Sequence, residues 1–379
     1  MQIEQKKWTP ENTWETLRSD LRDSKEYQLV LVFGSRTLLS SIGFYDEIRN
    51  CYPKAQILMN STSGEIIDTQ VNDDTISLTA IRFDNTPFKT ISVNIQDYSN
   101  AETAGNFIAQ TLFHSNITNV LIFADGHQVD GNKLVLGLEN SLTESVIISG
   151  GFASDGNKFQ KTLLGLNEQP CEGKIIAVGF YGKHLTVSHG RMDGWEEFGK
   201  EIQITKSNKN TIIELNHEPA LKIYNQYLNK HLPSTEGQSL LFPVSIKSNE
   251  TQPSVFRKIK TINEDEKSIT FDGAVPVGSY IRMMKANFES LINGASAVAK
   301  SSAKNLAKPD LAIVISNVGR KFILSKRIEE EVEVIREVLG ESTAITGFYS
   351  YGDISFTKKD SQSGFNNQSM TITTMRETK

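Results

Sequence analysis

Gly347-Phe348-Tyr349-Ser350-Tyr351-Gly352-Asp353 sets two phenol hydroxyls and a carboxylate between glycines, directly after Thr343-Ala344-Ile345-Thr346. That preceding run reads as a short buried strand, so the polar and aromatic groups arrive at its C-terminal end. Glycine at both borders opens backbone conformations closed to other residues and lets a ligand come close. The stretch is expected to form one wall of a small-molecule site; the alternative is a tight turn whose tyrosines pack on neighbouring strands. Arg320 follows Gly319 beyond another apolar run, where its guanidinium fork could grip a carboxylate or phosphate, or pair with Glu329, Glu330 or Asp353. If Arg320, Tyr349, Tyr351 and Asp353 converge, they suit a zwitterion such as an amino acid, with Arg320 for the carboxylate and Asp353 and the rings for the ammonium. The set contains no nucleophile–base pair, which argues for binding over catalysis.

The elements that must position these groups recur along the chain. Thr9-Pro10-Glu11 starts an expected helix carrying Trp14, Leu17 and Leu21, so residues 1–26 read as a helical lead-in. A strand over 29–33, a helix over 42–50 and a strand over 56–59 lead into Asn60-Ser61-Thr62-Ser63-Gly64-Glu65. Residues 75–83 and 88–95 alternate as a hairpin should. A second cycle has a helix after Asn100, a strand over 120–123, a helix over 133–142 and a strand over 146–148. It ends in Ser149-Gly150-Gly151-Phe152-Ala153-Ser154-Asp155-Gly156. A turn is expected over 194–199 and a helix over 218–230. A third cycle runs from a helix expected to begin at Met284, through a strand over 311–315 and a helix with Ile328, Val332, Ile335 and Leu339 inward, to the 347–353 motif.

Each cycle closes on a loop that sets an acidic residue beside glycine: Gly64-Glu65, Asp155-Gly156 and Gly352-Asp353. The fold expected is α/β: a mixed α/β sandwich of two related halves, built from pseudo-symmetric helix–strand–helix–strand units whose loops face one another. Ser63, Gly64, Glu65, Gly151 and Asp155 join Arg320, Tyr349, Tyr351, Gly352 and Asp353 as candidate ligand residues; the alternative is that these loops are structural turns. The linker-like Ser234-Thr235-Glu236-Gly237-Gln238-Ser239 sets the division at 27–235 and 236–379.

Other chemistry finds little footing. There is no HExxH, GxSxG or paired CxxC, and Gly126-His-Gln-Val-Asp-Gly131-Asn132-Lys133 has Asn where a phosphate loop needs Lys. The histidines lack close metal-ligand spacing, although a single axial haem ligand leaves no spacing signature. A net charge of -5 over 379 residues gives no electrostatic reason to expect nucleic acid or an anionic membrane as partner. Cys51 and Cys171 are far apart and the first residues lack the apolar core of a signal peptide, so a cytoplasmic, soluble chain is expected.

Several segments in order resemble the FIST family, named for F-box and intracellular signal transduction proteins. In the N-terminal half they are Asn60-Ser-Thr-Ser-Gly-Glu-Ile66, Gly150-Gly-Phe-Ala-Ser-Asp-Gly156 and Glu214-Leu-Asn-His-Glu-Pro-Ala-Leu-Lys-Ile-Tyr224. In the C-terminal half they are Ser316-Asn-Val-Gly-Arg320, the Glu-rich helix, Gly347 to Asp353 and Gly364-Phe-Asn-Asn-Gln-Ser-Met-Thr-Ile372. The resemblance implies a FIST N-like domain over 27–235 and a FIST C-like domain over 236–379. It also implies a non-enzymatic sensory role with a small ligand such as an amino acid, and coupling to a histidine kinase, chemotaxis receptor or cyclic-dinucleotide enzyme. Its alternatives are a haem-based nitric-oxide sensor and an unrecognised hydrolase. Asn366 joins the ligand candidates on this resemblance. The sequence departs from the family pattern with Asn317 for Cys, Asp353 for Glu, Asn366 for His and Ser369 for Thr. The first and third departures remove soft or imidazole ligands, so no cofactor is expected.

Overall fold

The computed structural model describes residues 1–379 apart from 22, 42, 157, 193–194, 232–242, 249–253, 258, 272, 286, 305, 307, 358–363, 367–368 and 379. It is a mixed α/β protein with four sheets. One compact unit comprises Met1–Asp193 with Leu291–Lys379, and a second comprises Gly194–Ser290. The linker expected near 235 lies outside the described residues.

Three apolar runs dictate the first unit. Leu29–Ser35, Ile117–Ala124 and Leu311–Asn317 are buried almost throughout, as strands covered on both faces must be. Each pairs in parallel with the second strand of its cycle, respectively Gln56–Thr62, Ile147–Phe152 and Ala344–Ser350. The crossovers pass through helices Phe44–Cys51, Gly131–Ser141 and Ile328–Leu339. An antiparallel strand flanks the first member of each pair: Ile76–Arg82, Lys174–Tyr181 and Met370–Glu377.

Alternation then sorts the side chains. Leu31 and Phe33, Leu121 and Phe123, and Ile313, Ile315 and Phe348 all face one central core shared by the three sheets. The opposite faces meet helices, as where Val314 and Ile345 pack on Val332 and Ile335. Phe348 is fully buried, with Phe33 at 4.8 Å between ring centroids, so Phe348→Ala costs about 3–5 kcal/mol.

The chain also crosses between sheets. After Gln56–Thr62 of the first sheet, Glu65–Ile67 pairs with Ala344–Ser350 of the third. After Ala344–Ser350, Asp353–Phe356 pairs with Ile147–Phe152 of the second. After Ile147–Phe152, Leu164–Leu166 pairs with Gln56–Thr62 of the first. The loops that turn from one sheet to the next are the acidic-glycine loops of the sequence.

Four local expectations are corrected. The N-terminal segment is two strands, Gln2–Thr9 and Thr13–Ser19, rather than a helix. Thr9 Oγ1 does accept from Asn12 N at 3.1 Å, but it closes a turn, and Trp8 then pairs across with Trp14. Ile76–Arg82 and Phe88–Asn94 form no hairpin, since they join different sheets. The Glu377 carboxylate accepts from Asp84 N, Asn85 N and Thr86 Oγ1 and fixes the chain where the two strands part. Glu196–Asn208 is a strand where a turn was expected over 194–199. The third-cycle helix begins at Phe288, because Met284 belongs to the strand Tyr280–Lys285.

The second unit is an antiparallel sheet containing Glu196–Asn208, Thr211–Leu215 and Tyr280–Lys285, with the helix Ala220–His231. Among the described residues, no helix is long and apolar enough to cross a membrane.

Candidate ligand-binding site

The inter-sheet loops leave from the C-terminal ends of parallel strands, the place where α/β sheets commonly hold ligands. Main-chain bonds draw them together: Ser63 N to Tyr349 O at 2.9 Å, Ser154 N to Ser61 O at 2.9 Å and Phe152 N to Gly352 O at 2.8 Å. Ser154 Oγ donates to Tyr349 O at 2.6 Å, and Ser63 Oγ accepts from Gly156 N at 2.9 Å. Strand ends from all three sheets thereby meet.

Asp155 is the centre of this meeting. Its carboxylate accepts from the Tyr351 hydroxyl, from Gln160 N and Lys161 N at 3.1 Å each, and from Arg36 Nη1 at 3.2 Å. His127 Nε2 stands 3.8 Å from Asp155 Oδ1. Burial pushes the Asp155 pKa up, but the Tyr351 hydroxyl, the two backbone donors and Arg36 outweigh it and leave the pKa below the usual aspartate value. The Tyr351 hydroxyl is pushed up, first by burial and then by Asp155. At neutral pH the pair is therefore an anion held by a neutral phenol.

The rim of the cluster reaches solvent, whereas the Asp155 carboxylate at its centre is enclosed. The Arg36 and His127 side chains are 15% and 27% exposed. Phe159 stacks on Tyr351 at 4.8 Å and 11° between planes, and His127 meets the same ring edge-on at 5.5 Å. A guanidinium, a carboxylate and aromatic faces thus lie within one small region.

The expected site residues divide. Tyr351, Asp155 and Ser63 come together here, and Gly64 follows Ser63. Gly352 contributes its carbonyl to Phe152 N. Arg320 and Tyr349 belong to a different group: Arg320 Nη2 lies 2.6 Å from Glu331 Oε1, and the Tyr349 hydroxyl donates to Glu331 Oε2 at 2.9 Å. Both side chains are fully buried. The Arg320 partner is Glu331, a carboxylate the sequence reading did not choose. Asp353 forms a third group, accepting from Ser369 Oγ at 2.5 Å and Thr371 Oγ1 at 2.6 Å. Gly151 and Asn366 are its strand neighbours on either side. The Asn366 side chain lies outside the described residues.

Glu65 is also buried, accepting from Thr62 Oγ1, from Thr75 Oγ1 at 2.7 Å and from Thr75 N at 3.3 Å. Burial pushes its pKa up to about 7 against the pull of those hydroxyls and Lys321. Among the described residues, no group of three or more His, Cys, Asp or Glu is placed to hold a metal ion.

Sequence reasoning missed Arg36, His127, Phe159 and Gln160. A signal existed for Arg36, which follows Gly34-Ser35 at a strand end much as Arg320 follows Gly319. His127 likewise follows Asp125-Gly126. Nothing local marks Phe159, whose ring finds Tyr351 only through the fold.

Comparison with protein families matches the FIST N domain to residues 28–218 and the FIST C domain to residues 220–355. The chain belongs to the FIST family. FIST domains are sensory domains implicated in signal transduction. Arg36, Ser63, His127 and Asp155 fall within the FIST N match and Tyr351 within the FIST C match, so the Asp155 cluster draws on both. A comparison with curated proteins finds no match.

Proposed function

We propose that this FIST protein is a cytoplasmic sensory module that binds a small zwitterion, an amino acid or close relative, at the Asp155 cluster. The observation that carries the reading is the Asp155 carboxylate held beside Arg36 and Tyr351 where three sheets meet. Arg36 suits the ligand's carboxylate, while Asp155 and the Tyr351 and Phe159 ring faces suit its ammonium. The chain acts by binding rather than turnover, and the signal passes by contact to a separate protein such as a histidine kinase, chemotaxis receptor or cyclic-dinucleotide enzyme. Loops that link the sheets give ligand binding a route to the whole unit. The repeated order of parallel pair, flanking strand and exchanged short strand supports a pseudo-symmetric reading of the three sheets.

The test is a thermal-shift screen of amino acids beside an absorbance spectrum, since a ligand that binds the folded state raises Tm by mass action. Particular amino acids are expected to raise Tm in the wild type and to lose that effect in Arg36→Ala. A shift that persists in Arg36→Ala removes the proposed site. A haem absorption band from purified protein would replace the amino-acid reading, and turnover of the bound ligand would replace the non-enzymatic one.

A further inference from the structure

Asn317 closes the strand Leu311–Asn317 and is 2% exposed. Its Oδ1 accepts from Gly319 N at 2.9 Å, whereas its buried Nδ2 has no hydrogen-bond partner among the described residues. An orphaned buried donor is costly, and native proteins leave few of them.

Strand geometry locates this donor. Ile313 and Ile315 face the central core while Ala312 and Val314 face the helices, so position 317 shares the inner face. Asn317 N donates to Ser369 O at 3.0 Å, which carries the pairing of Ser316 with Met370 one residue further. Asn317 and Ser369 are therefore cross-strand neighbours, with Cβ atoms about 5 Å apart. Ser369 Oγ and Thr371 Oγ1 donate to the two oxygens of Asp353, which is fully buried. Both Asp353 oxygens are thus acceptors, so a ligand group on this side is matched by a donor.

We propose that Asn317 Nδ2 anchors a second, buried ligand subsite that takes a neutral carboxamide or ureido group. The carbonyl oxygen of that group accepts from Nδ2, and its own N–H faces the Ser369–Asp353 side. A ligand carboxylate offers no donor to the Asp353 side, and an ammonium offers no acceptor to Nδ2. A carboxamide carries the acceptor and the donor together without net charge. The subsite rests on Asn317 and stands independently of the Asp155 cluster.

Acetamide is the probe, with acetate as its charged counterpart, on the full chain. Acetamide is expected to raise Tm and acetate is not. Asn317→Ser keeps an oxygen that can accept from Gly319 N but removes the amide donor, and it should weaken acetamide binding by about tenfold or more. Asp155→Asn should leave the acetamide effect in place. In acetamide-soaked crystals the ligand oxygen is expected about 3 Å from Asn317 Nδ2. The subsite is overturned if acetamide has no effect on the wild type, if acetate matches it or if Asn317→Ser retains it. A lone water or a protein group occupying Nδ2 in the soaked crystals overturns it as well.

Discussion

The Tyr349 hydroxyl donates to Glu331 Oε2 at 2.9 Å while Arg320 holds the other oxygen of the same carboxylate. All three side chains are fully buried. Ser316 Oγ adds a bond to Oε2 at 3.2 Å, and Arg320 Nη2 reaches Leu291 O at 3.1 Å. Burial, ahead of the nearby Glu331 charge, drives the Tyr349 pKa upward, so the phenol remains a donor. The group ties helix Ile328–Leu339, strand Ala344–Ser350 and the carbonyl of Leu291 to one carboxylate.

Removing one member of such a group leaves a charge buried without its partner. Arg320→Ala is expected to destabilise the first unit by about 3–5 kcal/mol, read as a lower urea midpoint. Arg320→Met combined with Glu331→Leu removes both charges and should recover most of that loss. A double variant no more stable than Arg320→Ala would show that the ion pair is not the source of the cost.

Glu65 predicts a pH dependence. Its folded pKa of about 7 exceeds the ordinary 4.5, so the folded state binds the proton more tightly than the unfolded chain. Its contribution is most favourable below 4.5, falls as pH rises through the window from 4.5 to about 7, and stays at its lower level above. A shift of that size corresponds to about 3 kcal/mol. Glu65→Gln should flatten this window, so the stability difference between wild type and variant should change between pH 5 and pH 8. A constant difference across that range refutes the assignment.

Tyr351 and Asp155 make the opposite case. A depressed Asp155 pKa contributes stability above its unfolded value, and this is lost as pH falls through the folded one. Tyr351→Phe removes one hydroxyl donor to the carboxylate, which should cost about 1.5–3 kcal/mol at neutral pH. It should also raise the Asp155 pKa, measurable by NMR titration of the carboxyl carbon. An unchanged Asp155 titration would mean that the backbone donors and Arg36 alone set it.

The sequence carried the strands of this fold better than their partners. Runs such as Val120-Leu121-Ile122-Phe123 read as buried strands because they are short, rich in β-branched and aromatic residues, and closed by Asp125-Gly126. Whether a strand then pairs with its neighbour in the chain depends on distant competitors, and Ile76–Arg82 and Phe88–Asn94 each found a better edge elsewhere. Glu331 was legible in principle. It stands three residues after Ile328 and four before Ile335, on the stripe that faces the core, so its carboxylate needed a buried cation. Arg36 was overlooked for another reason: its meaning depends on Asp155, which only the closed fold brings beside it.

Gly347 and Gly156 separate two uses of glycine. A Cβ at Gly347 would lie 1.8 Å from Val314 O, the carbonyl of its neighbour in the parallel pair. Backbone cannot yield there without breaking the ladder that holds Phe348 and Tyr349 in place, so Gly347→Ala should destabilise by more than about 4 kcal/mol. At Gly156 no described residue comes within 4 Å of an added Cβ, but φ is +76°. Gly156→Ala therefore meets only conformational strain, about 1–2 kcal/mol. The Gly156 N–H to Ser63 Oγ bond would still be available to hold the Asp155 loop. Urea unfolding of the two variants checks the ranking. Equal losses would mean that close packing between Ala344–Ser350 and Leu311–Asn317 is not what requires glycine at 347.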